Sequence, residues 1–266
     1  MQNIIKDKKI IYKIGEYDDK SKVFCTTHQM DNFYKQFAKG QIRESGVMNY
    51  IQHFKAASMP KKDAIVLDVC CGRSMILPLL NNHGNNIKKY IGLDISQNNL
   101  QEAKINKSQK FKCQWINGNA TDLSNIIKEK IDFIIYTSAI EHMHPEDGIE
   151  SIEECYKILK KGGLMFFSTP NNKKGYKTLY KAHIYEWGFQ KIKNILKKTG
   201  FKIIEQFGLL AGNKNLLKKE IKRKYGQRAV KYVKDIEKYM PEIFFESFIS
   251  IPFPEISKEI LFILKK

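Results

Sequence analysis

Ala64-Ile-Val-Leu-Asp-Val-Cys-Cys-Gly-Arg-Ser74 joins an apolar run to a tight turn of small residues, and Tyr90-Ile-Gly-Leu-Asp-Ile-Ser96 repeats the apolar start and ends on an acid. Both read as short parallel strands, buried on two faces, whose carboxyl ends meet a ligand. In an open α/β sheet the ligand sits beyond those ends. The first turn approaches its polar tail, and a carboxylate on the next strand meets its ribose. The two segments therefore describe a nucleoside-binding crevice, with Asp94 placed for the ribose.

Outward from this pair the pattern alternates. Strands are predicted at 64–69, 88–94, 111–116, 132–137 and 163–168, with helices at 75–82, 97–106, about 121–129 and 147–160. Ser96 is placed to cap the second helix, Pro145-Glu-Asp-Gly148 turns into the last, and Lys160-Lys-Gly-Gly163 is expected to end it. A helix at about 187–199 stops at Gly200, and Phe201–Phe207 and Ile260–Leu264 read as two further strands. Such alternation predicts a Rossmann-like, seven-stranded, mostly parallel sheet with helices on both faces. Residues 1–60 read as an N-terminal helical lid (helix-like at Met30–Ala38 and Ile42–Ala57), 61–210 as the core, 211–255 as an insertion and 256–266 as the last strand. Inside the insertion, Leu216 to Tyr239 reads as a basic helix.

A chain of 266 residues with 42% hydrophobic content suits one large domain with additions. The first residues lack a signal peptide's apolar core and no run reaches membrane-spanning length, so a cytoplasmic protein is expected. Five cysteines without C-x-x-C spacing (Cys25, Cys70, Cys71, Cys113 and Cys155) suggest free thiols, with Cys113 and Cys155 packing the core. The net charge of +18 raises a nucleic-acid partner, but arginine, the favoured phosphate fork, occurs only at positions 43, 73, 223 and 228. Lysine spread beside abundant Asn and Ile reads as solvated surface.

Across residues 60 to 210 these segments resemble class I S-adenosylmethionine-dependent methyltransferases. The family's D-x-G-x-G-x-G aligns with Asp68-Val-Cys70-Cys71-Gly72-Arg73-Ser74, so two of its three glycines are replaced by small residues. Asp94 matches the acid that holds the ribose hydroxyls, and Asn117-Gly-Asn-Ala-Thr-Asp122 resembles the loop that frames adenine, with Asn119 where aspartate is common. Ile131–Tyr136 and Leu159–Pro170 resemble the fourth and fifth strands. The resemblance implies S-adenosylmethionine as cofactor, bound by Asp68, Cys70, Gly72, Arg73, Asp94, Ile95, Asn119, Ala120 and Thr137. Arg73 faces either the cofactor carboxylate or solvent. Nicotinamide and P-loop turns are set aside, because neither G-x-G-x-x-G nor G-x-x-x-x-G-K-[ST] follows a strand here.

In this chemistry the cofactor carries the reactive methyl, and protein groups orient and deprotonate the acceptor. The loop Ser138-Ala-Ile-Glu141-His142-Met143-His144 after the fourth strand supplies candidates: His142 as general base and Glu141 to fix its tautomer or bind a cation. The plainer alternative is that His142 packs the loop. His144 is expected to be exposed. Glu141, His142 and His183 resemble the E-x-x-E-H and distant-His pattern of metal-assisted O-methyltransferases of ubiquinone biosynthesis and of small-RNA 3′ ends, with Ser138 in the first glutamate's place. That resemblance implies a divalent metal ion held by Glu141, His142 and His183; alternatively His183, Tyr185 and Trp187 form an aromatic wall. Tyr34, Phe37, Arg43 and Tyr50 are candidate lid contacts, as are Phe244, Phe245, Phe248 and Phe253 in the insertion.

Without D/N-P-P-Y/F or a Pro-Cys dipeptide, exocyclic-amine and cytosine C5 chemistry lose support. The expected substrate is a hydroxyl of a small-molecule metabolite. Two alternatives stand beside it: an RNA 2′-O-methyltransferase whose Lys218–Lys224 helix tracks phosphates, and a non-catalytic cofactor-binding protein.

Overall fold

The computed structural model describes residues 44–83, 86–172 and 182–266. Met30–Ala38, Tyr34, Phe37, Arg43 and Cys25 lie outside them. In chain order the elements are α1 (Glu44–Ala57), β1 (Ile65–Val69), α2 (Leu77–His83), β2 (Lys89–Asp94), α3 (Gln97–Ala103), β3 (Lys112–Asn117), α4 (Leu123–Ile126), β4 (Ile131–Thr137), α5 (Pro145–Ile158), β5 (Leu159–Pro170), α6 (Phe189–Thr199), β6 (Lys202–Ala211), α7 (Lys214–Tyr225), α8 (Gln227–Glu237), α9 (Glu242–Ile249) and β7 (Ser257–Lys265).

The seven strands form one sheet in the order β3-β2-β1-β4-β5-β7-β6. β1 to β5 pair in parallel, and β7 inserts antiparallel between β5 and β6. The chain winds outward from β1 to β3 and then restarts at β4, so the reversal point lies between β1 and β4. In open α/β sheets of this order a ligand crevice is expected there, at the strands' carboxyl ends.

Continuous apolar runs in β1, β2 and β4 are buried on both faces, as parallel strands require. One core packs Leu67, Leu93, Tyr136, Phe167 and Phe262 under α5 and α6. The other packs Val66, Tyr90, Ile135, Phe166 and Leu261 under α1 and α2. The Ser96 hydroxyl accepts from Asn99 N at the start of α3. α5 opens with Pro145 and two acids in its first turn, where a fixed φ and negative charge suit a helix N-terminus.

Several local expectations change. α5 ends at Ile158 rather than at Lys160-Lys-Gly-Gly163, because the chain from Leu159 is already extended and pairs with β4 at Ile131. The single basic helix expected from Leu216 to Tyr239 is two, α7 and α8, divided at Gly226, whose φ of +83° no right-handed helix accommodates. With α9 they build a third core from Leu217, Ile221, Val230, Val233, Phe245 and Phe253. Phe245 and Phe253 therefore serve packing, while Phe248 stays 45% exposed. Cys155 is fully buried and Cys113 half-buried. Among the described residues no helix is long and apolar enough to cross a membrane.

Candidate active site

The turn after β1 keeps the backbone that a glycine-rich loop would have. Cys70, Gly72 and Ser74, the three positions where the pattern has glycine, show φ of +57°, +51° and +53°. Side chains at Cys70 and Ser74 carry about 1 kcal/mol or more of left-handed strain each, and packing holds them there. Tyr90 Oη donates to Asp68 Oδ2 at 2.7 Å and lies 3.0 Å from Ser74 Oγ, which also accepts from Trp115 Nε1 at 3.0 Å. Asp68 is thus a brace beneath the turn. Burial first, then the neighbouring Asp94, pushes its carboxyl up to about 7 against the Tyr90 hydrogen bond.

Asp94 closes the turn from the end of β2. Its carboxylate accepts from Gly72 N and Ser96 N, both at 2.8 Å, and from the Asn99 side chain. Burial raises its pKa, and these three donors oppose the rise. The donors of a nucleoside fit what remains. A Cβ on Gly72 would meet nothing within 4 Å, so the tip of the turn faces open space. Asn99 Oδ1 is a buried acceptor with no partner among the described residues, directly beside Asp94.

The other expected cofactor residues are placed as follows. Arg73 is largely buried, and its Nε lies 2.9 Å from Glu102 of α3. Ile95 is half-buried, and its carbonyl accepts from Asn117 Nδ2 at 2.8 Å. Asn119 is exposed and caps the short turn Ala120–Asp122 by accepting from Thr121 N, with Ala120 buried behind it. Thr137 Oγ1, at the end of β4, lies 3.4 Å from His53 Nε2 of α1.

Beyond β4 a 3-10 turn, Ile140–His142, presents Glu141 and His142. His183 comes from the segment before α6. One donor atom from each of Glu141, His142 and His183 lies within 4.8 Å of the others. His142 Nδ1 is 2.7 Å from the Ala182 carbonyl, an acceptor only, so Nδ1 carries the proton and Nε2 the lone pair. Burial, aided by His183, lowers its pKa to about 4 against the Ala182 bond. His183 Nδ1 lies 2.6 Å from Glu186 Oε1, the carboxylate–histidine arrangement that orients a metal-binding imidazole. Glu141 is 1% exposed and accepts from Thr169 Oγ1 at 3.2 Å. Burial and then Glu259 raise its pKa well above the usual carboxylate range. His144, expected at the surface, is buried at the start of α5, because Pro145 turns the loop back onto the core. Trp187 is fully buried in the core, its ring 4.9 Å from that of Tyr185. Tyr50, a candidate lid contact, is 56% exposed.

Three buried polar residues near the crevice were absent from the sequence reading: Gln52, Asn99 and Glu259. Glu259 left a faint signal, a lone acid before the apolar Ile260–Leu264. Gln52 and Asn99 left none.

Comparison with known proteins agrees with this geometry. Residues 66–163 match the methyltransferase-domain family. The chain is 32% identical over 126 residues to ubiquinone biosynthesis O-methyltransferase of Pelagibacter ubique, covering 46% of this chain and 50% of that protein. It is 33% identical over 107 residues to the chloroplastic 2-phytyl-1,4-beta-naphthoquinone methyltransferase of Arabidopsis thaliana, covering 38% and 40%. The chain thus spans half or less of the length of these curated relatives. The solved N-methyltransferase NodS of Bradyrhizobium japonicum, in complex with S-adenosyl-l-homocysteine, superposes with a TM-score of 0.55 at 13% identity, over 83% of this chain and 87% of that one; at such identity the likeness speaks to fold alone. Matched sequence and strand order together make residues 66–163 similar to a methyltransferase domain built on a Rossmann-like sheet.

Proposed function

We propose that this protein transfers the methyl group of S-adenosylmethionine to a hydroxyl of a small molecule, and that Glu141, His142 and His183 hold a divalent cation. The observation that carries the reading is the convergence of those three donors just past β4, at the same carboxyl edge of the parallel sheet where Asp94 accepts from Gly72 N. The cofactor supplies an electrophilic methyl on sulfur. The cation supplies a positive charge that lowers the pKa of a nearby hydroxyl.

The chain's own residues bind and orient the reactants. The turn at Cys70, Gly72 and Ser74 approaches the cofactor's polar tail, and Asp94 with Asn99 receives the ribose hydroxyls. His142 is neutral at pH 7, so its Nε2 lone pair is available to the cation without loss of a proton. Glu186 fixes the ring of His183. The relative named ubiquinone biosynthesis O-methyltransferase makes a phenolic hydroxyl the favoured acceptor. The test is incubation of the purified protein with labelled cofactor and fractionated metabolites, with and without chelator. Label in a small-molecule product, abolished by chelator, is expected; absence of any labelled product overturns the reading.

A second reading, an RNA 2′-O-methyltransferase, draws on α7 and α8. Residues 214–239 carry ten basic and three acidic side chains, and Tyr225, Tyr232 and Tyr239 are exposed among them. It requires RNA binding that weakens steeply with salt and loses that dependence when Lys222, Arg223 and Lys224 are neutralised.

A further inference from the structure

The loop that carries Glu141 and His142 leaves β4 through one strained residue. Ser138 has φ +46°, a left-handed conformation unfavourable for any residue with a Cβ, so bonds from outside the loop must hold it. Its backbone N–H donates to the Ser168 carbonyl at 3.2 Å. The Ser138 hydroxyl donates to Glu259 Oε1 at 3.2 Å and accepts from Gln52 Nε2 at 3.1 Å. Gln52 comes from α1, 86 residues away in sequence, and is 1% exposed. Both ends of its amide are engaged: Oε1 accepts from Ser168 Oγ at 2.6 Å, and Nε2 also donates to Asn49 Oδ1 at 2.8 Å.

An amide donates and accepts at once, which lets this one side chain join the hydroxyls of Ser138, just past β4, and Ser168 on β5. Beyond Ser138 the chain is bonded into a unit. His142 N donates to the Ala139 carbonyl at 3.0 Å, and the Glu141 carbonyl accepts from Ile184 N at 2.8 Å and Tyr185 N at 3.1 Å. His142 Nδ1 reaches the Ala182 carbonyl at 2.7 Å. These bonds tie the Ile140–His142 turn to the segment that bears His183. Ser138 is the covalent link between this unit and β4, so its φ sets where the donor atoms point.

We infer that Gln52 is a positioning residue: by holding Ser138 in its left-handed conformation, it sets the place of Glu141 and His142. The inference rests on the role proposed above for the cluster of Glu141, His142 and His183. It makes α1 part of the site, acting through Ser138 and not on a reactant.

The test reads the tautomer of His142 by NMR in the full chain labelled with ¹⁵N-histidine, its signals assigned by their loss in His142→Gln. The Ala182 carbonyl holds the proton on Nδ1, and a ring released from that bond moves it to Nε2. Q52M keeps the length of the side chain and removes its donor and acceptor. It is expected to shift His142 toward the Nε2-protonated form and to bind Mn²⁺, followed by calorimetry, at least about tenfold more weakly, with S-adenosylhomocysteine affinity unchanged. S138A and S138G probe the same link without altering α1. Both lack the hydroxyl, but only alanine keeps the strain, so the tautomer shift is expected to be larger in S138A. A His142 still protonated on Nδ1 in Q52M, or equal tautomer shifts in S138A and S138G, overturns the role of Gln52. A wild type that binds S-adenosylhomocysteine but no Mn²⁺ overturns the cation reading alone, and the His142 tautomer in the variants still decides this inference.

Discussion

The Asp94 carboxylate at the end of β2 accepts a 2.8 Å hydrogen bond from the backbone N–H of Gly72, at the tip of the turn after β1. One side chain thereby ties two strand ends together, at the place where the proposed function puts the nucleoside. In Asp94→Asn, an amide NH₂ replaces one of the two oxygens that face Gly72 N and Ser96 N. Losing a charge-assisted bond of this kind costs about 1.5–3 kcal/mol, so S-adenosylhomocysteine affinity is expected to fall roughly tenfold to a hundredfold. Isothermal titration reads this directly, and wild-type affinity in the variant would remove Asp94 from the cofactor site.

Gly72→Ala separates backbone strain from ligand contact. A methyl at φ +51° is strained by about 1–2 kcal/mol, yet it meets no protein atom within 4 Å. Stability should therefore drop by no more than the backbone cost, whereas cofactor affinity should drop further because the methyl projects into the open space at the turn. Denaturant melts and ligand titration on the same sample check both halves. Equal losses in the two measurements would mean that nothing binds against that face.

Asp68 titrates with the fold. Its folded pKa of about 7 lies above the ordinary 3.8, so the folded state holds a proton more tightly between those values. Its contribution to stability is full below about pH 4, declines as pH rises, and is gone above about pH 7. Asp68→Asn lacks this slope. The stability difference between wild type and variant should shift in the variant's favour from pH 4 to pH 8, by an amount on the order of a few kcal/mol. Urea melts at pH 4, 5.5 and 8 decide it; a difference that does not change with pH contradicts the brace beneath the turn.

Substitutions at the donor cluster should divide by role. His142→Ala is expected to abolish chelator-sensitive methyl transfer while S-adenosylhomocysteine still binds. Glu186→Gln leaves His183 in place but loosens its orientation, and an intermediate loss of about tenfold to a hundredfold is expected. Turnover assays with and without added Mn²⁺ rank the two. Wild-type turnover by His142→Ala would dismiss the cluster as catalytic machinery.

Local chemistry determines most of the core. Apolar runs that must bury both faces, small residues at a left-handed turn and an acid closing the second strand act over a few neighbouring positions, so the placing of Gly72, Asp94, Glu141 and His142 at strand ends is legible in one dimension. Tertiary structure decided what depends on distant partners. Whether His144 is buried follows from how Pro145 docks α5, and the break at Gly226 follows from the separate core that α7 to α9 build. Glu259 meets Ser138 only because β7 runs antiparallel between β5 and β6, a pairing that no local spacing encodes.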